Sequence, residues 1–331
     1  MKKASGSKKT LLMDLPKFES EFEKDVFIGL RSYPKYLKSK YFYDRAGDLI
    51  FQEIMELPEY YLTSSEHEIL NNMKAQIFSY LKPDAPFQLI DLGAGDAKKT
   101  RVLLDYLIQQ KSNFTYIPVD ISANAVNQLT SSLQRQYGNL QVVGLSQEYL
   151  SALRSLSQEQ KKLVLFLGSS IGNFTRNETL DFLKDIFSTL NVDDLLLIGF
   201  DLKKDPNTIL AAYNDNKGVT ARFNLNLLKR INRELGANFD LDYFEHYPSY
   251  HEEKGEARSA LVSLRAQGVE IPGINLTIRL EKGEKIDTEV SRKYNFIEIQ
   301  RLAEQSGYEI LANFTDSRKY FANSVWRRKK Q

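Results

Sequence analysis

Apolar residues in the middle of the chain fall in short, nearly continuous runs, at 88–92, 114–119, 140–145, 163–167 and 194–200. Runs of this kind bounded by turn residues predict strands buried on both faces of a parallel sheet. The segments between them, 100–109, 123–135 and 179–190, repeat apolar residues at helical spacing. Alternation of the two predicts an α/β sheet with helical crossovers. Upstream, Thr63-Ser64-Ser65-Glu66 reads as a capping box, and Ile69, Leu70, Met73, Ile77 and Leu81 follow at helical spacing. The alternation stops after Asp201. Residues 205–235 read as helical, with Val219, Phe223, Leu227 and Ile231 on one stripe, and 240 to about 286 as mixed and partly antiparallel, with a strand at 275–280. A helix at 297–306 and a closing strand pair at 308–311 and 320–326 end the pattern. The expected division is 1–64 and 204–287 forming a second, inserted α+β lobe, with 65–203 and 288–331 forming the sheet domain. No internal repeat is present.

The first strand ends in Asp91-Leu92-Gly93-Ala94-Gly95-Asp96-Ala97-Lys98-Lys99-Thr100, a glycine turn opening into a helix, and the second ends in Asp120. That is the layout of a nucleotide-type site: bare backbone at the turn, N–H donors at the helix start, and a carboxylate placed to accept two ribose hydroxyls. Lys98 stands where a dinucleotide fingerprint has its third glycine. A pyrophosphate needs that bare backbone and S-adenosylmethionine does not, so the turn leans towards a methyltransferase over a dehydrogenase.

Charge and composition narrow the chemistry. Lys and Arg number 45 against 43 Asp and Glu, for a net charge of +2, interleaved along 331 residues. No field for nucleic acid or membrane follows from that balance. Cysteine is absent, which excludes disulfides, thiolate nucleophiles and cysteine metal sites. His67, His246 and His251 lack metal-ligand spacing and read as structural or exposed, so no metal is expected. Without an apolar run near 18 residues or a signal peptide, a soluble cytoplasmic enzyme is expected. The basic start, Met1 to Lys9, is expected to be disordered.

Several segments converge on one family: Tyr41-Phe42-Tyr43-Asp44, Leu57-Pro58-Glu59-Tyr60-Tyr61 with Thr63 and Glu66, and Asp91-Leu92-Gly93-Ala94-Gly95 with Lys99-Thr100-Arg101. Others are Gly168-Ser169-Ser170-Ile171-Gly172-Asn173, Ala212-Tyr213-Asn214-Asp215, Phe244-Glu245-His246 and Thr288-Glu289-Val290-Ser291. The chain resembles the histidine-specific Nα-methyltransferases of ergothioneine biosynthesis over nearly its whole length after about residue 18. The resemblance implies a Rossmann-like class I methyltransferase sheet, S-adenosylmethionine as cofactor, a free amino acid as substrate, and a monomer. It places Gly93, Lys99, Asp120, Glu148 and Tyr149 at the cofactor; the last two stand where the family usually has Asp-Phe. It places Tyr60, Asn173 and Tyr213 at the amino acid's amine and carboxylate, and Tyr43, Glu289 and Ser291 at its imidazole. Ser259 aligns, within a residue or two, with a methionine that lines the side-chain pocket. No general base is assigned; the ammonium loses its proton to water or through a tyrosine.

Each residue also has a plainer reading. Asp120 competes as a helix N-cap, Lys99 as a solvated helix lysine, Tyr60 as a core aromatic and Asn173 as a turn residue. Glu289 and Ser291 compete as a turn and cap before the helix at 297. Ser259 motivates a rival substrate, a tryptophan-like amino acid. A non-catalytic cofactor-binding relative is the second rival.

Overall fold

The computed structural model describes residues 17–82 and 85–329; Met1 to Lys9 lie outside them. One sheet runs, in spatial order, Tyr308–Thr315, Phe321–Arg328, Leu195–Asp201, Lys161–Phe166, Phe87–Leu92, Phe114–Asp120, Gln141–Val142. The five strands from Leu195–Asp201 to Gln141–Val142 are parallel, and the C-terminal hairpin joins antiparallel through Phe321–Arg328. This is the class I methyltransferase sheet that the resemblance implies. The central strands are apolar throughout because both faces are covered: Ile90, Val164 and Ile198 pack on one side, and Leu89, Leu163 and Leu197 on the other. The chain leaves Phe87–Leu92 towards one edge and returns on its other side at Lys161–Phe166. That reversal opens a crevice at the strand ends, where ligands bind in such sheets.

A second sheet, ordered Lys35–Tyr36, Lys285–Arg292, Glu256–Ser263, Phe244–His251, forms the other lobe. The helices Glu21–Arg31 and Val219–Leu235 pack on it around Phe22, Val26, Leu30, Phe42, Phe223, Leu227 and Ile286. Segments from both ends of the expected insertion thus share one core. A smaller cluster containing Tyr61, Ile209, Tyr213, Ala257 and Phe321 joins the lobes.

Several expectations change. The box at Thr63 to Glu66 caps nothing: the helix begins two residues earlier, as Tyr61–Leu81, and Glu66 is buried inside it. True capping boxes occur at Thr175 with Glu178 and at Asn295 with Glu298. The third strand is two fragments, Gln141–Val142 and Leu145–Ser146. The helix expected at 205–235 breaks into Pro206–Ala212 and Val219–Leu235, because Asp215 between them accepts the amides of Val219 and Thr220. Arg45–Met55 is a further helix, upstream of Tyr61–Leu81. Finally, the strand Lys285–Arg292 crosses the expected 287/288 boundary and belongs to the second sheet, which places Glu289 and Ser291 in that lobe.

Candidate active site

The cofactor end is built on the glycine turn. Asp91, buried at the end of its strand, accepts Thr100 Oγ1 at 2.6 Å and Tyr116 Oη at 2.9 Å. Strand, turn and following helix are thereby tied to one carboxylate, whose pKa burial raises. Gly93 has φ 73° and donates its N–H to the Val119 carbonyl at 2.8 Å. A Cβ there would lie 2.8 Å from the Tyr149 hydroxyl; the conformation, not that contact, is what calls for glycine. Ser122, not Asp120, caps the next helix. Asp120 accepts the Ser122 amide through Oδ1 at 3.0 Å, and its other oxygen has no protein partner among the described residues. Glu148 stands exposed at the start of the helix Tyr149–Ser155 and caps nothing with its side chain. Across the crevice, Asp48 on the helix Arg45–Met55 has its carboxyl pushed up to about 6 by burial and then by Asp120 and Asp44. Gly93, Asp120, Glu148 and Tyr149 thus lie close together at this end of the crevice, with Asp48 near Asp120.

Lys99 points to the crevice between the two central strands. Its Nζ donates to Glu66 at 2.6 Å. Glu66 is fully buried and also accepts the Gly168 amide at 2.8 Å and Asn323 Nδ2 at 3.2 Å. Lys99 is thus neither a solvated lysine nor a free cation; it closes the reversal point together with a carboxylate from the first long helix. On its far side runs an open groove of about 580 Å³ bordered by Met55, His67, Asn71 and Lys98, with no expected substrate residue in it.

The substrate end lies on the second sheet. Asn295 caps the helix at Phe296–Gln305, so Glu289 and Ser291 are free of that duty and sit in a strand. Their side chains share one face, as positions two apart must. Burial raises the Glu289 carboxyl to about 6, while Lys293 and the Ser259 hydroxyl act to lower it. Tyr60 and Tyr213 have hydroxyls held well above the usual range by burial first, then by Tyr213, Tyr43 and Glu289 for Tyr60 and by Glu289 and Asp201 for Tyr213. Tyr43 is 44% exposed, yet burial and the nearby Glu289 also push its pKa up. A side chain open to solvent and still hemmed in by protein lines a cleft. Asn173 ends the short helix Ser170–Asn173 and is exposed. That turn presses on the second sheet: a Cβ on Gly172 would lie 2.7 Å from the Arg292 carbonyl.

Ser259 does face this site. It pairs with Glu289 across the strands and is 1% exposed. Its Oγ is 3.1 Å from His246 Nε2, and burial pushes the His246 pKa down to about 4. The imidazole is therefore neutral at neutral pH, and the wall behind Glu289 is polar without being charged. Behind Ser291 lies a buried network absent from the expected site: Lys293 pairs with Asp201 at 2.7 Å, both fully buried, and Tyr61 Oη donates to Asp201 at 2.9 Å. Strand periodicity carries a signal for Lys293, since 289, 291 and 293 fall on one face. Asp201 and Tyr61 are legible only once the lobes meet.

Comparison with known proteins settles the family. A family model described as histidine-specific methyltransferase, SAM-dependent, matches residues 22–328. The chain belongs to that family. Among its relatives, the histidine N-alpha-methyltransferase of Mycobacterium tuberculosis is 36% identical over 271 residues, covering 82% of this chain and 84% of that one. Ergothioneine biosynthesis protein 1 of Schizosaccharomyces pombe is 33% identical over 68% of this chain and 30% of its own. A 4-dimethylallyltryptophan N-methyltransferase of Claviceps fusiformis is 28% identical, covering 88% and 87%. The methyltransferase uses S-adenosylmethionine, and its cofactor end fits that molecule. The turn offers bare backbone at Gly93 and Gly95, where a Cβ on the latter would meet nothing within 4 Å. Asp120 keeps an unpartnered oxygen for a hydroxyl, and the nearest lysines, Lys98 and Lys99, are engaged with carboxylates, not gathered for phosphate. No cluster of three metal-ligating side chains occurs among the described residues. No helix among them is long and apolar enough to cross a membrane.

Proposed function

We propose that this methyltransferase methylates the α-amine of free L-histidine, through three transfers in one cleft, to the trimethylated betaine. The observation that carries the reading is the Glu289–Ser291 pair on one strand face inside a cleft lined by Tyr43, Tyr60 and Tyr213. A half-buried carboxylate short of partners calls for a donor, and a hydroxyl beside it serves the second nitrogen of the same ring. Tyr60, Asn173 and Tyr213 hold the amine and carboxylate; Gly93, Lys99, Asp120, Glu148 and Tyr149 surround the cofactor. Bound there, S-adenosylmethionine supplies an electrophilic methyl group. The residues of this chain act by position: they hold a neutral amine in line and exclude competing orientations. An analogue without ring nitrogens leaves Glu289 unpaired, which is the strong form of discrimination.

A tryptophan-like substrate is the second reading, favoured by Ser259 at the methionine position and by the relative named for 4-dimethylallyltryptophan. Indole offers one N–H and no ring acceptor, and the Ser259–His246 wall is polar, which weighs against it. We read the protein further as a cytoplasmic monomer; light scattering near 38.1 kDa supports the monomer and a doubled mass opposes it. The deciding experiment is mass spectrometry of the common amino acids after incubation with enzyme and S-adenosylmethionine. Three added methyls on histidine alone support the proposal. Methylation of tryptophan instead supports the second reading, and no methylation of any amino acid overturns both.

A further inference from the structure

Lys293 is fully buried in the second lobe's edge of the cleft, and every proton of its ammonium is committed. Nζ donates to Asp201 Oδ2 at 2.7 Å, to Tyr213 Oη at 2.7 Å and to Ser291 Oγ at 2.9 Å. Asp201 is in turn fixed by Lys204 and by Tyr61 Oη at 2.9 Å. The two hydroxyls that Lys293 reaches are themselves 2.8 Å apart, Tyr213 Oη to Ser291 Oγ. A hydroxyl has one proton and two lone pairs. Lys293 fills one lone pair on each oxygen, and one proton lies between them. A single O–H therefore remains for the pair, and among the described residues it has no protein acceptor.

We infer that Lys293 is a positioning residue for the substrate ring: with Tyr213 Oη donating to Ser291 Oγ and Lys293 donating to both, the Ser291 hydroxyl is left as a one-proton donor on the same strand face as Glu289 and Tyr213 keeps a lone pair for the amine, so that the cleft takes imidazole neutral and in one tautomer. Glu289 receives the ring N–H and the Ser291 hydroxyl donates to the bare ring nitrogen. Lys293 touches no substrate, since none of its protons is free. The inference rests on the reading that Glu289 and Ser291 bind the ring.

Calorimetric titration of histidine into enzyme saturated with S-adenosylhomocysteine tests it, using Lys293→Met, Ser291→Ala and the double variant. Lys293→Met is expected to weaken histidine binding more than tenfold and to leave S-adenosylhomocysteine affinity unchanged. In the Ser291→Ala background the same change is expected to cost threefold or less, because the hydroxyl it orients is gone. Equal losses in both backgrounds, or wild-type histidine affinity in Lys293→Met, overturn the inference. If Glu289→Ala and Ser291→Ala both keep wild-type histidine affinity, the underlying reading fails instead. Should Lys293→Met not fold, nitrogen NMR of ring-labelled histidine bound to the wild-type enzyme decides. One protonated and one bare nitrogen are expected; two equivalent, exchange-averaged nitrogens or a doubly protonated ring contradict the inference.

Discussion

Two carboxylates, one buried and one half-buried, lie at opposite ends of the cleft and have opposite surroundings. Glu66, at the reversal point of the main sheet, is fully enclosed and holds Lys99, the Gly168 amide and the Asn323 amide. Glu289, on the second sheet, has a hydroxyl beside it and Lys293 further off, and its pKa climbs to about 6. The first carboxylate is part of the frame, since its acceptor capacity is taken up by protein. The second lacks a strong donor, which under the proposed function a substrate ring N–H supplies. The same contrast separates Asp91, whose bonds to Thr100 and Tyr116 tie the glycine turn together, from Asp120, which keeps one oxygen unpartnered. The acids assigned to ligands under the proposed function are those that the fold leaves short of donors.

The comparison breaks or sharpens through substitutions at its two ends. The largest effect is expected from Glu289→Ala. Histidine kcat/KM should fall by roughly a hundredfold or more, about 3 kcal/mol, with cofactor affinity held; steady-state kinetics beside cofactor titration reads this. Next comes Glu66→Ala, expected to lower unfolding free energy by about 3 kcal/mol, because Lys99, Gly168 and Asn323 all lose their acceptor. Urea denaturation measures it, and unchanged stability would make Glu66 a ligand residue instead of a frame residue. Asp120→Ala is expected to weaken S-adenosylhomocysteine by ~1–3 kcal/mol without lowering stability.

The smallest effect is a pH dependence. Glu289 has a folded pKa raised from 4.5 to about 6, so between those values the folded state binds more protons than the unfolded one. Stability therefore falls as pH rises through that window and stays lower above it. Glu289→Gln cannot ionise. It is expected to melt higher than wild type at pH 7.5, with the difference closing by pH 4.5. A difference independent of pH would remove Glu289 from the partner-poor class.

Much of this was legible before the fold was known, and the exceptions share a cause. The sheet strands were readable because burial on both faces leaves continuous apolar runs. The glycine turn and Asp120 were readable because a turn at a strand end needs particular residues at fixed offsets. Glu66 was misread as a capping residue: the pattern Thr-x-x-Glu is local, whereas its burial depends on Gly168 and Asn323, distant in sequence. Lys293 was passed over for a related reason. A buried lysine gains meaning only from the Asp201 that neutralises it, and that partner comes from the other lobe. Ser259 became interpretable only through its register opposite Glu289.

The central claim is that the two ends of the cleft recognise different molecules through separable groups. Calorimetry of both ligands on both end variants tests it most directly: S-adenosylhomocysteine alone, then histidine at saturating S-adenosylhomocysteine, for Glu289→Ala and Asp120→Ala. The account expects Glu289→Ala to lose histidine and keep the cofactor product, and Asp120→Ala to bind the cofactor product more weakly and, once saturated, take histidine as wild type does. Equal loss of both ligands in both variants would contradict it.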